Sequence, residues 1–392
     1  MNILELTKEI ETEAIRIRRE VHKNPELSLK EYKTSDFLEK ELKKIGIEVS
    51  REGLKTGVLG ILRGKKPGKT IALRADIDAL PIAEETGLEF ASQNEGVMHA
   101  CGHDIHTAVL FGCAKVLSNF KDEISGNIKF FFQPAEEKLG GAKNMIKAGA
   151  LKDPDVDAIL GVHTWPDLPA GTIGLKKGPF MASADEIKIK VKGKGGHAAH
   201  PDKCVDPIVI AGYILTKLQT VISRESSPVD PVVITLGTIN GGTAPNIIPS
   251  EVEMTGTIRT VNYETHDKIF NKIDRIVKYT AKSMNGDAET EYKIGTPPLV
   301  CDNKLVDIIY KSVSDLLGAS NIIELKEPSM GGEDFAFYLE KVPGALIRLG
   351  TANEDENSHL SLHNSKIIFD EKAITTGIAA MSQVALAYLS EK

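Results

Sequence analysis

Cysteine is scarce in this chain, with four residues in 392, at positions 101, 113, 204 and 301. Their spacing builds no disulfide framework, which fits a reducing cytoplasm. No apolar run approaches the roughly 18 residues of a membrane-spanning helix. The first 20 residues are rich in Glu, Lys and Arg and lack the apolar core of a signal peptide. An excess of basic charge is missing too. The net charge is −7 and the pI is near 5.9, so the composition argues against a nucleic-acid binder. Internal repeats and low-complexity segments are lacking. What remains, 41% hydrophobic and 26% charged residues, is a globular composition long enough for a large core and two or three domains.

Against that background one stretch stands out, His99-Ala-Cys101-Gly-His103-Asp104-Ile-His106. It gathers thiol, imidazole and carboxylate, the three side-chain types that ligate metals such as zinc and manganese. Gln133-Pro-Ala-Glu136-Glu137 follows a strand-like apolar run, and so does Gly161-Val-His163-Thr-Trp165; His363 lies near the C-terminus. Open α/β sheets build their sites at the carboxyl ends of strands, from groups distant in sequence. Cys101 alone has three readings: a metal thiolate, a nucleophile paired with a histidine, or an inert buried thiol. The company of His163 and His363 favours the metal. Cys113, Cys204 and Cys301 have no such company and read as packing or surface residues. An isolated Glu-Glu pair is usually an exposed acidic turn. After a buried strand, Glu136 and Glu137 suit a division of labour, one carboxylate on a metal and the other on water.

The first 180 residues alternate helices and strands. A single helix is expected to end before Asn24-Pro25, and a helix over His106–Leu117. Gly57–Leu62 and Thr70–Ala75 read as neighbouring strands joined by the turn around Gly64–Gly68. Asn127–Phe132 and Val156–Val162 are near-continuous apolar strands, as in sheets covered on both faces. From Glu186 the pattern changes to strict alternation, and the order becomes β-α-β-β-α-β, the ferredoxin-like signature. The expected division is an α/β domain over 1–182 and 296–392, interrupted by an α+β domain over 183–295.

Seven motifs in order carry a resemblance along nearly the whole chain: Leu73-Arg-Ala-Asp76-Ile-Asp78-Ala-Leu-Pro81, Met98-His-Ala-Cys101-Gly-His103-Asp104, Gln133-Pro-Ala-Glu136-Glu137, Gly193-Lys-Gly-Gly-His197, Gly242-Thr-Ala-Pro-Asn246-Ile-Ile-Pro249, Met330-Gly-Gly-Glu333-Asp334-Phe335 and Leu362-His363. The chain resembles the metal-dependent amidohydrolases that include hippurate hydrolase, N-acyl-amino-acid aminohydrolases, auxin-conjugate hydrolases and N-acetyldiaminopimelate deacetylase. The resemblance implies an α/β zinc-exopeptidase-like catalytic domain with an inserted ferredoxin-like dimerisation, or lid, domain. It implies that Cys101, His103, Glu137, His163 and His363 hold two divalent metal ions (Mn, Zn, Co or Ni), with Glu136 as general base. His197 would stabilise the developing oxyanion from the partner subunit of a homodimer, and Asn246 and Arg259 would hold a substrate carboxylate. Asp78 orients ligands or caps a turn. Glu333 buttresses a ligand. His99 and His106 stay outside the metal set, as orienting partners or helix-end polar groups.

The expected function is hydrolysis of N-acyl-L-amino acids to a carboxylic acid and a free amino acid, in the cytoplasm, with no nucleic-acid or membrane partner. A metallocarboxypeptidase or dipeptidase using the same site is the alternative. A silent binding protein and a cysteine hydrolase are the rivals from other classes.

Overall fold

The computed structural model describes residues 2–391, and the chain divides into two units. The first takes in the residues up to Gly178, Cys301–Lys326 and the residues from Phe337 onward; the second takes in Pro179–Val300 and the returning segment Glu327–Ala336. This second span is wider than the 183–295 expected from alternation alone, because a segment that returns from the far side of the sequence carries no periodic signal of its own.

The first unit is built on an eight-stranded mixed sheet. Its order is Glu48–Ser50, Val58–Arg63, Ser125–Gln133, Lys66–Asp76, Ala158–Pro169, Gly344–Ala352, Ile173–Leu175 and Ile322–Glu324. The four central strands run parallel. Their sequences are apolar on both faces; Ile128, Phe130, Phe131 and Phe132 are all fully buried, as a sheet covered by helices on both sides requires. Strand Ser125–Gln133 lies between Val58–Arg63 and Lys66–Asp76. The two hairpin-like runs read as neighbours are therefore separated in space, and the tight turn between them reflects only their nearness in sequence.

The helices also correct the sequence reading in detail. The N-terminal periodicity is split into Ile3–Glu9 and Glu11–Lys23, with the break at Ile10. The helix expected from His106 begins at His103 instead, with Gly102 as its cap. The first turn of that helix thus carries His103, Asp104 and His106. The closing helix Lys372–Ser390 is long and apolar enough to span a membrane by length and hydropathy, and more than half of it is buried. Polar residues interrupt it too often to read as one apolar run. It packs on helices His103–Ser118 and Asn303–Leu317 as a core element.

The second unit has a four-stranded antiparallel sheet, in the order Val232–Gly241, Glu251–Thr260, Ala184–Lys192, Asp287–Thr296. In chain order these are its second, third, first and fourth strands. Helices Pro207–Glu225 and Tyr263–Lys282 complete the β-α-β-β-α-β sequence. Asp206 caps the first helix by accepting from the Ile208 and Val209 amides, with Pro207 at its first position; Asn262 caps the second. Ile187, Ile189 and Val191 alternate inward and pack with Ile214, Leu218, Ile269 and Ile273 in one core. The opposite face is charged and paired across strands, as in Lys188–Glu253 and Lys192–Glu289.

Candidate metal centre

Two of the four central strands lead into carboxylates, and a third carries a histidine within it. Lys66–Asp76 delivers Asp76 and then Asp78, Ser125–Gln133 leads into Glu136 and Glu137, and Ala158–Pro169 carries His163. Cys101, His103 and His163 present ligand atoms within 4.8 Å of one another, as do Cys101, Glu137 and His363, and also His103, Glu136 and Glu137. The five ligands expected by resemblance therefore come together around Cys101, which belongs to two of these trios. Glu136 joins the same cluster and is 6% exposed.

The hydrogen bonds fix what each ring offers. His103 Nδ1 lies 2.8 Å from the Asp78 carbonyl, and His163 Nδ1 lies 2.8 Å from the Thr164 carbonyl. A carbonyl only accepts, so both rings carry a proton on Nδ1 and turn Nε2 inward. His163 Nε2 sits 3.6 Å from Cys101 Sγ. His103 Nε2 and Glu137 Oε1 are buried with no hydrogen-bond partner. His363 Nε2 lies 3.3 Å from Glu137 Oε1, and a cation, whether proton or metal ion, satisfies buried atoms of this kind. Histidines held through the far nitrogen by a carbonyl are the usual form of a ligating imidazole.

Electrostatics agree. Burial pushes the His103 imidazole down, but Asp76, Asp78 and Glu137 outweigh it and raise it to about 10. Burial and the nearby Glu137 and Glu136 carboxylates push the Cys101 thiol well above its ordinary range. The cluster is thus over-supplied with negative charge, and a thiolate forms there only beside a positive ion. A cysteine nucleophile needs the reverse, a depressed pKa. The residues present fit divalent metal.

His106 and Asp76 also approach His103 closely enough to resemble a ligand group, but both are already engaged. His106 Nε2 accepts the Thr164 amide at 2.7 Å and its Nδ1 donates to Asp76. Asp76 also accepts from Arg74 at 2.7 Å, and Arg74 donates to Gln133 at 2.9 Å. Both ring nitrogens of His106 are therefore taken within the protein. His99 is buried, with neither ring nitrogen partnered, and burial lowers its pKa to about 3.

Asp78 does more than cap a turn. Its Oδ1 accepts from the Glu136 amide and its Oδ2 from the Glu137 amide, both at 3.1 Å, while Ser28 donates to Oδ2 at 2.7 Å. Glu31, buried, accepts the Ala135 amide at 2.8 Å. Three successive amides are thus held by two carboxylates, and Ala135 takes a left-handed φ of 54° to allow it. His363 is also left-handed, at φ 68°, with its amide on the Ala100 carbonyl at 3.0 Å. Non-glycine residues in this region are strained and persist where surrounding structure holds them. Sequence reading singled out neither Glu31 nor Ser28, because both lie among ordinary helix-approach residues with no motif spacing.

The remaining expected residues belong to the second unit. His197 is exposed and its Nδ1 accepts from the Ala199 amide at 3.1 Å. Asn246 is exposed, and its carbonyl accepts from Ala198 at 3.1 Å. Arg259 lies on strand Glu251–Thr260, and a Cβ at Gly332 would meet its guanidinium at 3.4 Å. Glu333 is buried and accepts the Phe335 amide at 3.0 Å.

Comparison with known proteins places these residues in context. The family described as Peptidase family M20/M25/M40 matches residues 72–387. The chain is 43% identical to thermostable carboxypeptidase 2 of Saccharolobus solfataricus over 385 residues, 97% of this chain and 96% of that protein. It is 40% identical to an N-acetylcysteine deacetylase of Bacillus subtilis over 383 residues, 97% and 98% of the two chains. Among solved structures, a Bacillus subtilis dinuclear metal binding peptidase of the M20 family superposes with a TM-score of 0.87 at 36% identity, covering 98% and 99% of the two chains.

Proposed function

This chain belongs to peptidase family M20/M25/M40, and from that premise we propose that it hydrolyses N-acyl-L-amino acids to a carboxylic acid and a free amino acid. It is a metal-dependent hydrolase of amide bonds; the substrate and the residue roles are our reading. The observation that carries the reading is the adjacent pair Glu136 and Glu137. Both amides are clasped by Asp78, and both carboxylates join the ligand cluster.

In this reading Cys101, His103, Glu137, His163 and His363 hold two divalent ions, drawn from Mn, Zn, Co and Ni. Such ions, when bound, polarise the scissile carbonyl and lower the pKa of water. Glu136 takes the proton of the attacking water and passes it to the leaving nitrogen. His197, whose Nδ1 accepts from Ala199, keeps its proton on Nε2 and so is a donor suited to the developing oxyanion. Arg259 and Asn246 hold the substrate carboxylate, Arg259 through its planar fork.

The second unit serves as a lid and as the dimerisation domain of a homodimer. Its exposed apolar residues Ile208, Val209 and Tyr213 on one helix, and Ile239 on its edge strand, support that assignment. His197 then serves the active site of the partner subunit. The compartment we propose is the reducing cytoplasm.

A second reading, cleavage of a free C-terminal residue from a dipeptide or longer peptide, is favoured by the 43% identity to a carboxypeptidase. The chemistry is the same and only the acyl side differs.

The test is release of amino acid from N-acetyl, N-benzoyl and N-indoleacetyl amino acids and from dipeptides. Chelator-stripped enzyme is assayed with and without Mn, Zn, Co or Ni. Metal-restored cleavage of acyl amino acids is expected; peptides alone as substrates would move the assignment to the carboxypeptidase. Glu136→Gln should bind metal normally and lose about 10²–10⁴-fold in kcat. Near-normal kcat in that variant refutes the role of Glu136.

A further inference from the structure

Thr164 follows the ligand His163 in sequence and is fully buried. Each of its three polar groups meets a different part of the metal cluster. Its carbonyl accepts from His163 Nδ1 at 2.8 Å, its amide donates to His106 Nε2 at 2.7 Å, and its hydroxyl donates to the Cys101 carbonyl at 2.8 Å. The turn it grips, Cys101-Gly102-His103, is closely fitted to it. Gly102 has φ 79°, and a Cβ there would lie 2.5 Å from Thr164 Oγ1. Only glycine allows both the left-handed backbone and this approach.

We infer that Thr164 is a positioning residue: its hydroxyl locks the Cys101–His103 turn against strand Ala158–Pro169 so that Cys101, His103 and His163 converge before metal arrives. The inference rests on those three residues being ligands, as read above. Its physical basis is pre-organisation. The backbone groups of Thr164 would fix His163 and His106 whatever the side chain. On the Cys101 side the His363 amide holds the Ala100 carbonyl and the Gly102 amide bonds the His99 carbonyl, while the Cys101 carbonyl is capped by the Thr164 hydroxyl, which also lies 3.2 Å from His106 Nε2. Without that bond the turn has alternatives, and metal must supply the cost of ordering it. Partners of this kind set metal affinity by about 10–100-fold.

The experiment uses the full chain stripped of metal and titrated with Co²⁺, whose thiolate absorption reports Cys101 ligation directly. Wild type, Thr164→Val and Thr164→Ser are compared for Co²⁺ affinity by competition with a chelator, and for melting temperature without metal. Thr164→Val should bind Co²⁺ about 10–100-fold more weakly, with a reduced thiolate band at saturation. Thr164→Ser, which keeps the hydroxyl, should stay within about threefold of wild type. Should Thr164→Val fail to fold, Thr164→Ala carries the same expectation. Equal affinity in the hydroxyl-free variant and wild type overturns the inference. So does a loss in Thr164→Ser as large as in Thr164→Val. Wild type that shows no thiolate band and no Co²⁺ binding refutes the ligand assignment instead, which keeps the two failures apart.

Discussion

Asp78→Asn offers a sharp test of how the catalytic loop is held. The Asp78 carboxylate is buried and accepts three hydrogen bonds, from the Glu136 amide on Oδ1 and from the Glu137 amide and Ser28 on Oδ2. Burial favours its neutral form, yet His103 and Ser28 hold its pKa below the usual carboxylate range. Asparagine has nearly the same shape but only one oxygen. If that oxygen keeps the Glu137 and Ser28 bonds, the new NH2 group faces the Glu136 N–H, donor against donor. One hydrogen bond to a charged group is lost, worth about 1.5–3 kcal/mol. Expressed in the transition state, this corresponds to roughly 10–150-fold in kcat, because Glu136 is the group displaced. The assay is steady-state hydrolysis of the best acyl amino acid by metal-saturated enzyme, beside urea unfolding. Ser28→Ala removes a neutral bond and should cost less, about 0.5–1.5 kcal/mol. Asp78→Asn with kcat within threefold of wild type, or a smaller effect than Ser28→Ala, would refute the clasp.

Two further outcomes follow from buried groups in the same unit. Burial, aided by Asp78, raises Glu31 from 4.5 to about 7. The folded state then holds this proton more tightly than the unfolded one, so the stabilisation is present below about pH 4.5 and is lost as pH rises through 7. Glu31→Gln keeps the acceptor for Leu29 and Ala135. Metal-free Glu31→Gln should gain up to about 3 kcal/mol over wild type between pH 5 and pH 8; parallel urea curves at the two pH values would show the reasoning wrong. Lys129 donates to the carbonyls of Ala150, Lys152 and Pro154. Lys129→Met leaves these acceptors uncapped and should cost about 1–3 kcal/mol in urea unfolding without changing KM. An unchanged midpoint would show that solvent replaces the ammonium.

The candidate ligands were legible in the sequence through the family resemblance, and the cluster at their head because metal chemistry restricts side-chain type. Thiol, imidazole and carboxylate are the groups that serve, and their density from His99 to His106 is visible without coordinates; Glu137, His163 and His363 are brought to it only by the fold. Strand and helix periods likewise placed the parallel core and the alternating second unit, since burial on one face or two writes itself into the spacing of apolar residues. Three-dimensional packing decided the rest. The insertion of Ser125–Gln133 between two strands adjacent in sequence depends on pairing across the sheet, which leaves no local mark. His106 has the same side chain as His103 and lies in the same motif, yet its two nitrogens are taken by Thr164 and Asp76. Glu31, Ser28 and Thr164 are ordinary residues in sequence. They gain their roles because folding brings a carboxylate or a hydroxyl within hydrogen-bond reach of a particular backbone amide or carbonyl. Residue type is a property of the chain, but which polar group meets which is a property of tertiary distance.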